Sequence, residues 1–130
     1  MQEVYDFLKN AGTYFLATAD GDQPRVRAFG TVNIFDGKLY IQTGRSKDVA
    51  KQIFKNPKIE ICAVNGPAWI RIQAEAIEDA RIEAKQSMLD AYPSLQGMYK
   101  ADDENTLVLY LKDAVAGIYS FGGEPKTIRF

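Results

Sequence analysis

The chain has 130 residues, 46% hydrophobic and 25% charged, with 16 basic against 17 acidic side chains for a net charge of −1. That length suits one core of ordinary domain size, and the near-neutral balance excludes a general attraction to nucleic acid or to an anionic membrane. The lone cysteine, Cys62, excludes an intrachain disulfide, and the absence of histidine removes His-based triads, His zinc sites and His-ligated haem.

In chain order, "MQEVYDFLKN" places Val4, Phe7 and Leu8 at i, i+3 and i+4, a short amphipathic helix that Gly12 can end. It is acidic and unlike a signal peptide. No run approaches the ~20 apolar residues of a membrane span, so no membrane association is expected and the cytoplasm is the expected location. "TYFLATA" reads as a strand, "DGDQP" as a turn and "RVRAFGTVNIF" as one long strand. Asp36-Gly37 is a tight hairpin signal that returns the chain through "LYIQT". Ser46 reads as an N-cap, Asp48 suits the first helical turn, and Val49, Ala50, Ile53 and Phe54 form an apolar face closed by Pro57. "KIEICAV" is a strand with Cys62 expected as a buried structural thiol, and "AWIRIQAEAIED" is a long alternating strand. Residues 80 to 91 form a helix with Ile82, Met88 and Leu89 inward, and "YPSLQGMYKADDEN" is a loop. "TLVLYLKDAVAGIYSF" is a strand bent at Lys112-Asp113, and "KTIRF" a short final strand. Hairpin-linked strands with short helices between them predict a mainly β fold, a small antiparallel barrel in a single domain spanning 1–130.

Two polar constellations stand out. The turn "TGRSK" places Thr43, Arg45, Ser46 and Lys47 where a strand becomes a helix, and a helix start offers unpaired N–H groups and partial positive charge. In "PRVRAF", Arg25 and Arg27 share one strand face and Val26 and Ala28 the other. If the hairpin brings that strand beside the turn, the two make a phosphate pocket; the same residues equally fit a plain N-cap with a solvated lysine face. "TGRSK" lacks the second glycine and the Lys-Ser order of a triphosphate-binding loop. Trp69 lies on the polar face of its strand with Arg71 and Gln73, where an interface, a flat ligand or simple covering of a barrel end would each account for it. The carboxylates around Glu75–Glu83 and Asp102–Glu104 read as solvated, so no metal site and no catalytic residue is assigned.

From "GTYFLATADGDQPRVRAFGTVNIFDGKLYIQTGRSKDVAKQIFKNPKIEICA", with the C-terminal "IYSFGGEPKTIRF", the chain resembles small members of the pyridoxamine 5′-phosphate oxidase-like family. The resemblance implies a six-stranded antiparallel split β-barrel of the FMN-binding type, and a homodimer holding FMN at its interface. It implies that Arg25, Val26, Arg27 and Ala28 line the flavin, that Gln42 and Thr43 touch its ring or ribityl chain, that Ser46 and Lys47 hold its phosphate, and that Trp69 reaches the flavin of the partner. The oxidase's C-terminal substrate-binding segment, with its arginine and histidine, has no match here. The implied activity is FMN-dependent oxidoreduction on an unassigned substrate, with NADH, NADPH or another small molecule as electron donor. The alternatives are a non-catalytic flavin-binding or sensing module, and a relative that binds a deazaflavin or haem.

Overall fold

The computed structural model describes residues 1–130. Helix α1 (Gln2–Ala11) ends where Gly12 takes φ 78° and donates its N–H to Leu8, a conformation that costs glycine nothing. Then come strands β1 (Tyr14–Asp20), β2 (Gln23–Phe29), β3 (Asn33–Phe35) and β4 (Lys38–Gly44), helix α2 (Asp48–Lys55), and strands β5 (Lys58–Asn65) and β6 (Ala68–Glu78). Helix α3 (Ile82–Ala91), a 3₁₀ turn at Pro93–Gly97, and strands β7 (Thr106–Ser120) and β8 (Lys126–Arg129) complete the chain. All pairings are antiparallel, in the order β2-β1-β5-β6-β7-β4-β3, with β8 added on β7. The fold is the expected mainly β split barrel with short helices.

The strand count is eight rather than six. One reason is that "RVRAFGTVNIF" is not continuous: it breaks at Gly30–Val32, so β2 lies at one end of the sheet path and β3 at the other. β4 therefore makes its hairpin with β3, through Asp36 (φ 51°) and Gly37 (φ 72°), and not with the arginine strand. The bend in β7 falls at Asp113 (φ 53°), where the β6–β7 register slips by one residue, a bulge. It lets one long strand serve β4 with its first half and β8 with its second.

The interior is filled by the alternating apolar residues of the strands, among them Leu16, Ile41, Ile61, Ile70, Ile72, Leu107 and Leu109, closed by Val4 and Leu8 of α1 and by Val49, Ala50 and Ile53 of α2. A second cluster seats Ala84 and Met88 of α3 on Tyr40 and Val108. Three expected core positions are not in the core. Ile82 is exposed, Ala84 taking its place on α3, and Phe54 is half-exposed under the Arg45 guanidinium. Cys62 is exposed because Ile61 and Ala63 hold the inward positions of β5. The opposite face of β2, β1, β5, β6 and the end of β7 presents Val26, Phe15, Cys62, Val64, Trp69 and Tyr119 outward.

Candidate functional site

Where β2 ends and β4 meets α2, a cavity of about 190 Å³ opens between the sheet and the segment after α3. Ala28 to Thr31, Gln42, Thr43 and Lys47 line one side, and Leu95, Met98 and Tyr99 the other. The alternation of β4 turns Gln42 toward this cavity. Leu39 and Ile41 point into the barrel, while Tyr40 and Gln42 point to the α3 side.

Gln42 is the anomaly of this site. It is only 6% exposed, yet neither its amide nitrogen nor its amide oxygen has a hydrogen-bond partner in the chain. Buried amides are nearly always partnered, and one left unmatched typically costs about 1–3 kcal/mol. A donor and an acceptor held ready at a cavity are what a ligand with complementary polar edges would satisfy. Thr43 and Tyr99 add hydroxyls with no partner in the chain, and Lys47 an ammonium with no ion pair.

The strand-to-helix turn differs from the expected one by a residue. Lys47, not Ser46, is the N-cap of α2, in extended conformation and without a side-chain cap. The Ser46 N–H is taken by the Asn105 Oδ1 at 3.0 Å, the Arg45 N–H by the Asn105 carbonyl, and the Lys47 N–H by Gly44. The first N–H groups without an acceptor are those of Asp48 and Val49. Arg45 is committed elsewhere: its guanidinium pairs with Glu78, which raises its pKa, and donates to the Glu104 carbonyl.

The arginine strand lines a different opening. Arg25, Val26 and Arg27 border a groove of about 540 Å³ with Asp48, Lys51, Gln52 and Lys55. Arg27 is not free within it. Its guanidinium donates to Thr18 Oγ1 and Gln52 Oε1, each at 2.7 Å, and Thr18 in turn donates to Gln52. This knot ties α2 to the β1–β2 hairpin, and burial, with Arg25 nearby, pulls the Arg27 pKa down. Arg25 is exposed and pairs with Asp20 at 3.2 Å. The structure thus brings Ala28, Gln42, Thr43 and Lys47 together, sets Ser46 beside them, puts Arg25, Val26 and Arg27 in the adjoining groove, and leaves Trp69 outside both. Trp69 stacks on Tyr119, with centroids 5.6 Å apart and planes at 18°, and lies against Phe121.

The sequence reading missed Leu95, Met98 and Tyr99, the far wall of the cavity. The signal was an apolar and aromatic content high for a plain loop, in "YPSLQGMY". This segment is fastened at both ends. The Tyr92 hydroxyl accepts from the Val32 N–H and donates to the Val32 carbonyl. Asp103 accepts the N–H groups of Lys100, Asn105 and Thr106, which holds its pKa down to about 2. A further clasp, Tyr40 donating to Asp79 while Arg81 grips Asp79 and Asp36, fixes the start of α3. Arg81 keeps Asp79 well below the usual carboxylate range, and burial with Asp79 beside it lifts Tyr40 to about 12.

The family model described as pyridoxamine 5′-phosphate oxidase matches residues 1–115. Among solved structures, the chain is similar to a NimC/NimA family protein from Clostridium acetobutylicum, at 44% identity and TM-score 0.97, covering 100% of this chain and 92% of that one. It shares its fold with General Stress Protein 26 from Bacillus anthracis (18% identity, TM-score 0.74, covering 99% and 97%) and with a heme binding protein from Mycobacterium smegmatis (13%, 0.69, covering 96% and 57%). No curated protein matches the chain significantly.

Proposed function

This chain belongs to the pyridoxamine 5′-phosphate oxidase family, and from that premise we propose that it binds FMN and serves as an oxidoreductase. The observation that carries the reading is the buried, unpartnered amide of Gln42 at a cavity whose only lining cation is Lys47. A flavin ring offers a carbonyl-and-NH edge that matches a free carboxamide, and a 5′-phosphate matches a lysine beside open N–H groups. In this reading Gln42 and Thr43 bind the ring or ribityl chain, and Ala28 lies along it. Lys47, the Ser46 hydroxyl and the Asp48 and Val49 N–H groups hold the phosphate, with Arg25 as a second charge from the groove. Arg27 keeps α2 in place through Thr18 and Gln52 rather than touching the phosphate. The bound flavin supplies the electron chemistry; the residues of the chain orient it, neutralise its phosphate and shield one face from water.

We further propose a homodimer. The cavity is small for a whole FMN and open to solvent, and the outward sheet face exposes Phe15, Val26, Cys62 and Val64 beside the Arg71–Glu60 ion pair, a mixture of apolar and polar groups that a second copy could cover. The Trp69–Tyr119–Phe121 cluster on that side is suited to close a partner's site. The small-molecule electron donor and acceptor then reach the flavin from the open side. A second reading, a non-catalytic flavin-binding module, has one observation in its favour: no carboxylate, histidine or thiol lines the cavity to relay protons near neutral pH.

Titration of the purified protein with FMN and with riboflavin, read by flavin fluorescence and visible absorption, tests the assignment. One FMN per chain should bind, more tightly than riboflavin. Equal affinity for the two would remove the phosphate subsite, and failure to bind either would remove the flavin. Bleaching of the bound flavin by NADH or NADPH separates oxidoreductase from binding module.

A further inference from the structure

The wall formed by Pro93–Tyr99 has a property that stabilising the fold does not explain. No residue of the 3₁₀ turn is buried, and Met98 is 74% exposed. The segment is held by the Tyr92–Val32 clasp at one end and the Asp103 turn at the other, so its conformation does not depend on burying its own side chains. Leu95 and Met98 are nonetheless apolar and line the cavity. Tyr99 stands beside them with a hydroxyl that has no partner in the chain. It occupies the space left by Gly44: a Cβ there would lie 3.1 Å from the Tyr99 hydroxyl and 3.1 Å from the Asn105 side-chain nitrogen. The turn Pro93–Gly97, with Met98 and Tyr99, carries no charge. Across the cavity is the buried Gln42 amide, whose unmet hydrogen bonds already indicate a ligand.

We propose, resting on the flavin reading above, that this wall is the docking face for the second reactant, a small, flat, uncharged molecule carrying a hydrogen-bond-accepting oxygen. Leu95 and Met98 cover its ring, and the Tyr99 hydroxyl donates to its oxygen. The flexible thioether of Met98 suits a surface that adapts to a flat partner. A charged reactant is disfavoured there because the wall offers no counter-charge.

The probe is 2,3-dimethyl-1,4-naphthoquinone, flat and uncharged, with its ring positions blocked so that it does not add to the exposed Cys62 thiol. Binding to the oxidised, FMN-loaded protein is read by equilibrium dialysis and fluorescence quenching, without turnover. Tyr99→Phe should weaken the quinone about two- to tenfold, the worth of one neutral hydrogen bond. Met98→Asp, at an exposed position that does not threaten folding, should weaken it at least about tenfold by placing a charge against the ring. FMN affinity should fall by less than quinone affinity in both, and 2,3-dimethylnaphthalene, without oxygens, should not sense Tyr99→Phe. Unchanged quinone affinity in both variants overturns the proposal, and so does a loss of FMN matching the loss of quinone, since the wall would then hold the cofactor. Should the wild-type protein take up no FMN, the flavin reading fails by itself. Tyr99-dependent quinone binding to the same protein then upholds the wall, and its absence overturns the wall too.

Discussion

At the scale of single residues, the two lysines of α2 separate a specific site from bulk charge. Lys47 is the N-cap, lines the cavity and has no ion pair, whereas Lys51 is 66% exposed and 4.0 Å from Asp48. In the proposed FMN site, Lys47→Ala would remove a charge-assisted hydrogen bond to phosphate, worth roughly 1.5–3 kcal/mol, so FMN affinity should fall about tenfold to a hundredfold. The helix should survive, because Lys47 caps it through backbone groups alone. Lys51→Ala changes net charge equally and should cost FMN well under ~1 kcal/mol. Riboflavin should sense neither change, and equal FMN losses from the two variants would leave only general charge. Lys47 was legible as part of "TGRSK", and Gln42 and Thr43 through the family pattern. That Gln42 is left without partners was not legible, because hydrogen-bond satisfaction depends on neighbours distant in sequence.

At the scale of elements, the cavity wall has an acid-sensitive fastening. Asp103 holds three backbone N–H groups, and its folded pKa of about 2 lies below that of an unfolded aspartate. Because the folded value is the lower one, the contribution is fully present above the unfolded pKa of about 4 and disappears as pH falls through about 2. Pepsin, active in that range, should therefore cut near Leu95–Tyr99 while far-UV circular dichroism still reports the folded barrel. Asp103→Ala should open the same segment to chymotrypsin at neutral pH. Cleavage that appears only together with loss of the dichroism signal would mean that the segment is not a separate unit. The element borders show what local pattern can reach. Asp36-Gly37, Gly12 and the Lys112–Asp113 bend are written in residues that tolerate or need positive φ. The break at Gly30–Val32 has no comparable signal, since "FGTVNIF" is as β-prone as what precedes it.

At the scale of the whole molecule, the proposed homodimer is tested on the sheet face that exposes Phe15, Val26, Cys62 and Val64. Light scattering should give the mass of a dimer. Phe15→Arg, at a half-exposed position in the middle of that face, should give a folded monomer with weakened FMN binding. A wild-type monomer that still holds FMN would refute the shared site. What the sequence determined by itself is what acts over a few residues or through alternation: the two faces of β2 and of β6, the hairpin at Asp36-Gly37, the apolar face of α2 apart from Phe54, and the family. What only tertiary structure decided is partnership. Pairing of β2 with β1 rather than β4 sends Arg27 into a knot with Thr18 and Gln52, away from the Lys47 cavity. Placement of the 3₁₀ turn over β4 makes a loop into a wall. The physical reason is the same in both cases. A side chain's periodicity fixes the direction it faces, but only the folded arrangement fixes what it meets there.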